Sequence, residues 1–171
     1  SKYCHGVSLL LSEVGDWADE LWNQVSSKVG VGAVRDSVFL NHRLFSCPQA
    51  DEYRVVADTD PTSPAIVVTR EAQKHGGHIA YVMEALGDRT LDPLLMSELG
   101  RLASRGAEIA LAWSYPWSPN YMSLRKVGFL PLPERLRPIH IWFGGSPKSA
   151  IGERANEIHE WYLSYLDSDT V

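Results

Sequence analysis

Glu84 is the one charged residue in the apolar run Ile79-Ala80-Tyr81-Val82-Met83-Glu84-Ala85-Leu86. A lone carboxylate inside a buried strand is the type of group that enzymes use as a general base. The plainer reading is a residue on the solvent side of a sheet. Trp113-Ser114-Tyr115-Pro116-Trp117 places three aromatic rings in five residues. Trp113, Tyr115 and Trp117 suit an acceptor pocket or a stacking platform for a sugar or nucleotide, or equally core and dimer packing. Asn120 either bonds a ligand or caps a turn. Arg125, Lys126, Arg135 and Arg137 are opposed locally by Glu134 alone. They form a basic patch for a phosphate or an acidic glycan, or a solvated face. Cys4-His5 has no second Cys/His pair at ligand spacing, and His75 and His78 flank Gly76-Gly77 as in a turn, so no metal site is expected.

The surrounding pattern supplies elements to hold these groups. Val14, Trp17, Ala18, Leu21, Trp22 and Val25 follow helical spacing, with Ser12 as the expected N-cap, and a second helix is expected over 35–45. Three runs, 53–57, 65–69 and 79–86, have strand character and spacing for an antiparallel meander. A helix follows, with Asp92 as its cap, Pro93 in its first turn, Leu91, Leu95, Leu99 and Leu102 on one face, and Gly106 at its end. Residues 108–113 read as a buried strand. Strand, helix, strand at this spacing is a right-handed crossover, so 79–86 and 108–113 should be parallel neighbours. Ser118-Pro119 begins a short helix that Gly128 ends, and 136–143 is a further expected strand. The tail has helical spacing at Ile151, Ala155, Ile158, Tyr162 and Tyr165, while 161–166 also suits a strand.

These 171 residues suit one domain, with 44% apolar and 22% charged residues, an ordinary globular balance. Sixteen Lys+Arg against 21 Asp+Glu give a net charge of −5, which speaks against nucleic acid and anionic membrane as partners. No apolar run approaches the roughly 18–20 residues of a spanning helix. Two cysteines, Cys4 and Cys47, read as free thiols of a cytoplasmic protein. The chain opens with Ser, as a piece of a longer protein would.

The order of elements and the segment Leu124-Arg125-Lys126-Val127-Gly128-Phe129 resemble the GNAT acetyltransferase superfamily, in which a leucine, a basic pair, an apolar residue and Gly-Phe end the helix after the fifth strand. A narrower likeness runs through Phe39-Leu40-Asn41-His42-Arg43, Pro48, Tyr53 and Trp161-Tyr162-Leu163-Ser164-Tyr165-Leu166-Asp167-Ser168-Asp169. This part is similar to the C-terminal half of GNAT-like proteins from bacterial cell-envelope and exopolysaccharide clusters. It favours a strand for 161–166.

The resemblance implies an α/β fold (an α+β mixed sheet), mostly antiparallel with one parallel central pair that splays apart. It implies acyl transfer from acetyl-CoA or another acyl-CoA to a small-molecule amine or amino sugar. Backbone N–H groups around Met83–Ala85 would polarise the thioester, with Glu84 as base, directly or through water, and Tyr121 as acid. Gly87, Arg89, Thr90, Asn120 and Arg125 would contact the coenzyme. Three positions depart from the family pattern. Counting from Arg89, the two glycine positions of the pyrophosphate loop hold Asp92 and Leu94, and Leu124 stands where many members have tyrosine. These departures leave a second reading, a non-catalytic GNAT-like module working as a homodimer or beside an N-terminal GNAT-like half.

Overall fold

The computed structural model describes residues 9–74, 76–133, 135 and 154–168. Over these residues the fold is α+β: five strands in the order β1-β2-β3-β4-β5, with four α-helices. Strand β1 is Leu9–Leu10, and helices α1 (Trp17–Ser26) and α2 (Ser37–Phe45) follow. Then come β2 (Tyr53–Asp58), β3 (Ala65–Lys74), β4 (Gly77–Gly87), α3 (Leu91–Ser104), β5 (Ile109–Ala112) and α4 (Tyr121–Lys126). The expected meander is present, since β2, β3 and β4 pair antiparallel in succession. The crossover through α3 makes β4 and β5 parallel, as the strand-helix-strand pattern requires. The expected strand 136–143 and the helical positions at Ile151 lie outside the described residues. Among those described, β5 is therefore the last strand of the sheet and no helix is long and apolar enough to cross a membrane.

Strand alternation divides the core in two. Val55, Ile66, Val68, Tyr81, Met83 and Leu86 face α1 and α2, where Ala18, Leu21 and Val25 repeat at helical spacing beside Leu40 and Leu44. Tyr162, Tyr165 and Leu166 of the tail complete that layer. On the opposite face Val56, Val67, Val82 and Ala85 pack against Leu91, Leu94 and Leu95 of α3 and Leu124 of α4.

Several helix starts differ from the pattern-based expectation. Helix α1 begins one turn after Ser12, because Asn41 of α2 holds the backbone of Val14 through both its N–H (2.8 Å) and its carbonyl (2.7 Å). Thr90, not Asp92, occupies the cap position of α3, and Asp92 instead pairs with Lys126 at 2.9 Å. Helix α4 starts at Tyr121, since the Ser118 hydroxyl accepts from the Tyr115 N–H and holds a turn there. Glu98, not Leu99, joins the buried side of α3; it accepts from Thr69 Oγ1 at 2.9 Å and is paired with Arg54 and Arg101. Gly106 and Gly128 end α3 and α4 with φ of +89° and +105°, the conformation a helix-ending glycine supplies at least cost.

The tail is neither the long helix nor the strand that its sequence suggests. Trp161 makes a single parallel bridge to Val31, and residues 165–167 form a short 3₁₀ turn. Ser164 and Asp167 close that turn reciprocally, each side chain accepting from the other end's backbone.

Candidate functional site

The parallel pair has a short common length. Ile79 to Val82 pair with Ile109 to Ala112, and β4 then runs on to Gly87 with no further partner on its β5 side among the described residues. The end of that pairing coincides with an irregularity on the other edge of β4. Val68 pairs with Glu84 and Thr69 with Val82, so Met83 is one residue too many. Such a bulge bends its strand and re-aims the next side chain. Glu84 consequently points to the face of α1, α2 and the tail, although Val82, two residues earlier, belongs to the α3 face.

Glu84 is 1% exposed and its oxygens are fully engaged. Arg35 Nε donates to Oε2 at 2.8 Å and Ser164 Oγ donates to the same oxygen at 2.9 Å. Oε1 accepts from the Tyr162 hydroxyl and from the N–H of Ala85 (2.9 Å). Arg35 is also 1% exposed; it reaches Asp167 and the carbonyl of Ala33, and stands over the rings of Phe39 and Tyr162. Burial by itself would lower the Arg35 pKa, yet the charges of Glu84 and Asp167 prevail and raise it, so the guanidinium stays charged. Burial, reinforced by the negative charge of Glu84, raises Tyr162 well above an ordinary phenol, which keeps its O–H as a donor.

The network joins the two core layers beyond the end of β5. Tyr162 belongs to the core on the α1/α2 side, whereas Asn120 leads into α4 on the other side. Asn120 Nδ2 nevertheless donates to the Tyr162 hydroxyl at 3.4 Å, and Asn120 Oδ1 accepts from Ser114 Oγ at 2.8 Å. This contact lies beyond Ala112, where β5 has ended. Glu84, Tyr162, Asn120 and Ser114 thus form a hydrogen-bonded chain from β4 to the segment that leaves β5.

Trp113, Tyr115 and Trp117 lie on that segment. Trp113 packs at 6.1 Å from Tyr165 and 6.3 Å from Tyr115, and Tyr115 stacks on Trp117 at 4.9 Å with 5° between planes. Trp117 Nε1 donates to the carbonyl of Trp161, and the ring remains 39% exposed. Tyr121 is half-buried in the first turn of α4. Met83 and Ala85 are buried on β4. Gly87 is packed rather than open: with φ +151°, a Cβ there would stand 2.6 Å from Ala65 Cβ. Thr90 Oγ1 donates to the carbonyl of Ser63, and Arg89 is exposed. Arg125 donates to the carbonyl of Phe129 at the end of α4. The structure therefore gathers Glu84 and Asn120 into one hydrogen-bonded chain, with the aromatic trio beside it, and leaves Arg89, Thr90 and Arg125 outside that cluster.

A scan against protein-family models matches none, and searches of curated proteins and of solved structures give no significant match. The site rests on geometry alone. Pattern reading does not single out Arg35, Tyr162, Ser164 or Ser114. The one signal toward them was Glu84 itself, because a carboxylate in a buried strand requires a cation and donors from elsewhere in the chain.

Proposed function

We propose that this chain is a GNAT-type domain that transfers an acyl group from acyl-CoA to the nitrogen of a small amine or amino sugar. The observation that carries this reading is the end of the β4–β5 pairing at Val82 and Ala112, with hydrogen-bonded polar side chains beyond it. An acyl thioester supplies an activated carbonyl: the amine nitrogen bonds to the acyl carbon as the carbon–sulfur bond breaks, and the amine's proton passes to the departing thiolate. The reaction needs alignment and donors for the carbonyl oxygen more than covalent help. The residues present fit the thioester end of the ligand, where β4 extends beyond its partner. They fit the pyrophosphate end less well, where Gly87 packs on Ala65 and Asp92 pairs with Lys126.

The surroundings of Glu84 alter the role expected for it. A carboxylate that accepts from four donors and neutralises Arg35 is a holding group; it fixes Tyr162 and Ser164. Tyr121 remains the candidate acid. A second reading, a non-catalytic GNAT-like module, is favoured by the Asp92–Lys126 pair and by the stacked aromatic rings seated on the tail.

Titration calorimetry with acetyl-CoA on the wild type and on Glu84→Gln separates the two readings. Saturable micromolar binding is expected from the enzyme. At a hundredfold excess over the dissociation constant it adds about 2.7 kcal/mol of apparent stability, roughly 5–10 °C in melting temperature for a chain of this size. No heat and no thermal shift at millimolar coenzyme overturns the acyltransferase in favour of the module.

A further inference from the structure

A hollow of about 290 Å³ opens between the start of β2, the middle of β3 and the residue that follows α3. Its lining includes Asp51, Arg54, Thr69, Glu71 and Arg105. Thr69 bonds Glu98 of α3, so the hollow is on the α3 face of the sheet, opposite to the face that Glu84 reaches. Arg105 comes after the last residue of α3, at the end of that helix remote from Gly87 and Thr90. Two carboxylates fix the arginines here. Glu98, 4% exposed, accepts from Thr69 Oγ1 and Arg101 Nε at 2.9 Å and from Arg54 Nε at 3.2 Å. Glu71 accepts from Arg101 Nη1 at 3.1 Å and from Arg105 Nε at 3.0 Å. Arg54 and Arg105 are each held through Nε, and no described residue accepts from their Nη groups. A guanidinium fixed at Nε keeps a planar set of donors to offer, the geometry that a carboxylate matches. On the opposite wall Asp51 is exposed and accepts from no described group, whereas Glu52 is already paired with Arg70.

We infer that this hollow binds a free α-amino acid, its carboxylate on the Nη groups of Arg54 and Arg105 and its ammonium on Asp51. Four guanidinium groups in and behind the lining meet four carboxylates, so no net charge favours a simple anion or a simple cation. The unspent groups carry both signs. A phosphate would face Asp51 and Glu71 with no cation of its own, and a plain amine would leave both arginines unused. The volume sits at the lower end of the roughly 300–1,000 Å³ of small-molecule sites, which suits a ligand of a few heavy atoms. The hollow is separate from the Glu84 network, so the inference stands apart from the acyltransferase reading.

Thermal shift with each of the standard α-amino acids at millimolar concentration should find one or more that stabilise the wild type, since a ligand of the folded state raises apparent stability. Calorimetry then compares that amino acid, its N-acetyl derivative and its decarboxylated amine on the wild type, Arg54→Lys, Arg105→Gln and Asp51→Asn. Arg105 and Asp51 are exposed, so their variants should melt as the wild type does. Arg105→Gln and Asp51→Asn should each weaken the amino acid roughly ten- to a hundredfold, the value of one charge-assisted hydrogen bond. Arg54→Lys, which keeps a cation beside Glu98 but loses the fork, should also weaken it. The N-acetyl derivative and the amine should bind the wild type more weakly than the amino acid, and Asp51→Asn should not weaken the N-acetyl derivative further. Acetyl-CoA binding should be the same in all four proteins. If no amino acid raises the melting temperature, the inference is overturned. Equal affinity in the wild type, Arg105→Gln and Asp51→Asn overturns it as well, and so does equal affinity for the N-acetyl derivative, which would make the ligand a plain carboxylate.

Discussion

Replacing Arg35 by Met removes the cation that pairs with both Glu84 and Asp167 while keeping most of the side chain's volume. Asp167 remains partly open to water and keeps the Ser164 N–H as a donor, so its loss is small. Glu84, whose side chain has no exposure, keeps only the neutral donors Tyr162, Ser164 and Ala85. Removing one partner of a buried pair leaves an uncompensated charge and costs about 3–5 kcal/mol. Against a total stability of about 5–15 kcal/mol, that variant folds but melts lower, by roughly 6–20 °C at this chain length. Glu84→Gln is milder, about 1.5–3 kcal/mol, because Arg35 keeps Asp167 as a counter-charge. The double variant should cost much less than the sum, since each single change already breaks the same pair. Urea unfolding of the four proteins measures the cycle. A loss below about 1 kcal/mol for Arg35→Met, or additivity within about 0.5 kcal/mol, would refute the view that this pair organises the site.

Two further outcomes follow from the same coordinates. Gly87→Ala places a Cβ 2.6 Å from that of Ala65 at a φ of +151°; overpacking of this kind costs about 1–3 kcal/mol, read as a lower urea midpoint with an unchanged slope. The Tyr162 phenol is raised above its ordinary value of 10.0 by burial and by Glu84, so the unfolded chain releases this proton first. Its contribution is complete below about pH 10 and is lost as the pH rises through the higher folded value. Stability should fall along an alkaline limb, and Tyr162→Phe should make that limb shallower; an unchanged limb contradicts the assigned shift.

The local elements were legible because their causes lie within a few residues. The stripe Ala18, Leu21, Val25 states a helix, and Gly106 and Gly128 state where helices end. The meander and the parallel crossover follow from strand spacing and handedness. The helix starts were less legible, because backbone near Val14 and Tyr115 is bonded by side chains that propensity does not weigh. The tail misled for a related reason: its alternating rings serve a packed turn under the sheet instead of a ladder.

By itself the sequence determined the α+β class, the order and direction of β2 to β5 but not the pairing of β1 with β2, and the presence of a carboxylate in an apolar strand. Only the tertiary structure decided what that carboxylate does. Arg35 lies 49 residues before Glu84 and Ser164 lies 80 after it, and no periodicity spans such distances. The bulge at Met83 turned the side chain toward them, and the end of β5 at Ala112 leaves room for Asn120 to meet Tyr162. A local pattern records which face of its own element a residue occupies; a buried charge is satisfied by whatever the completed fold brings beside it.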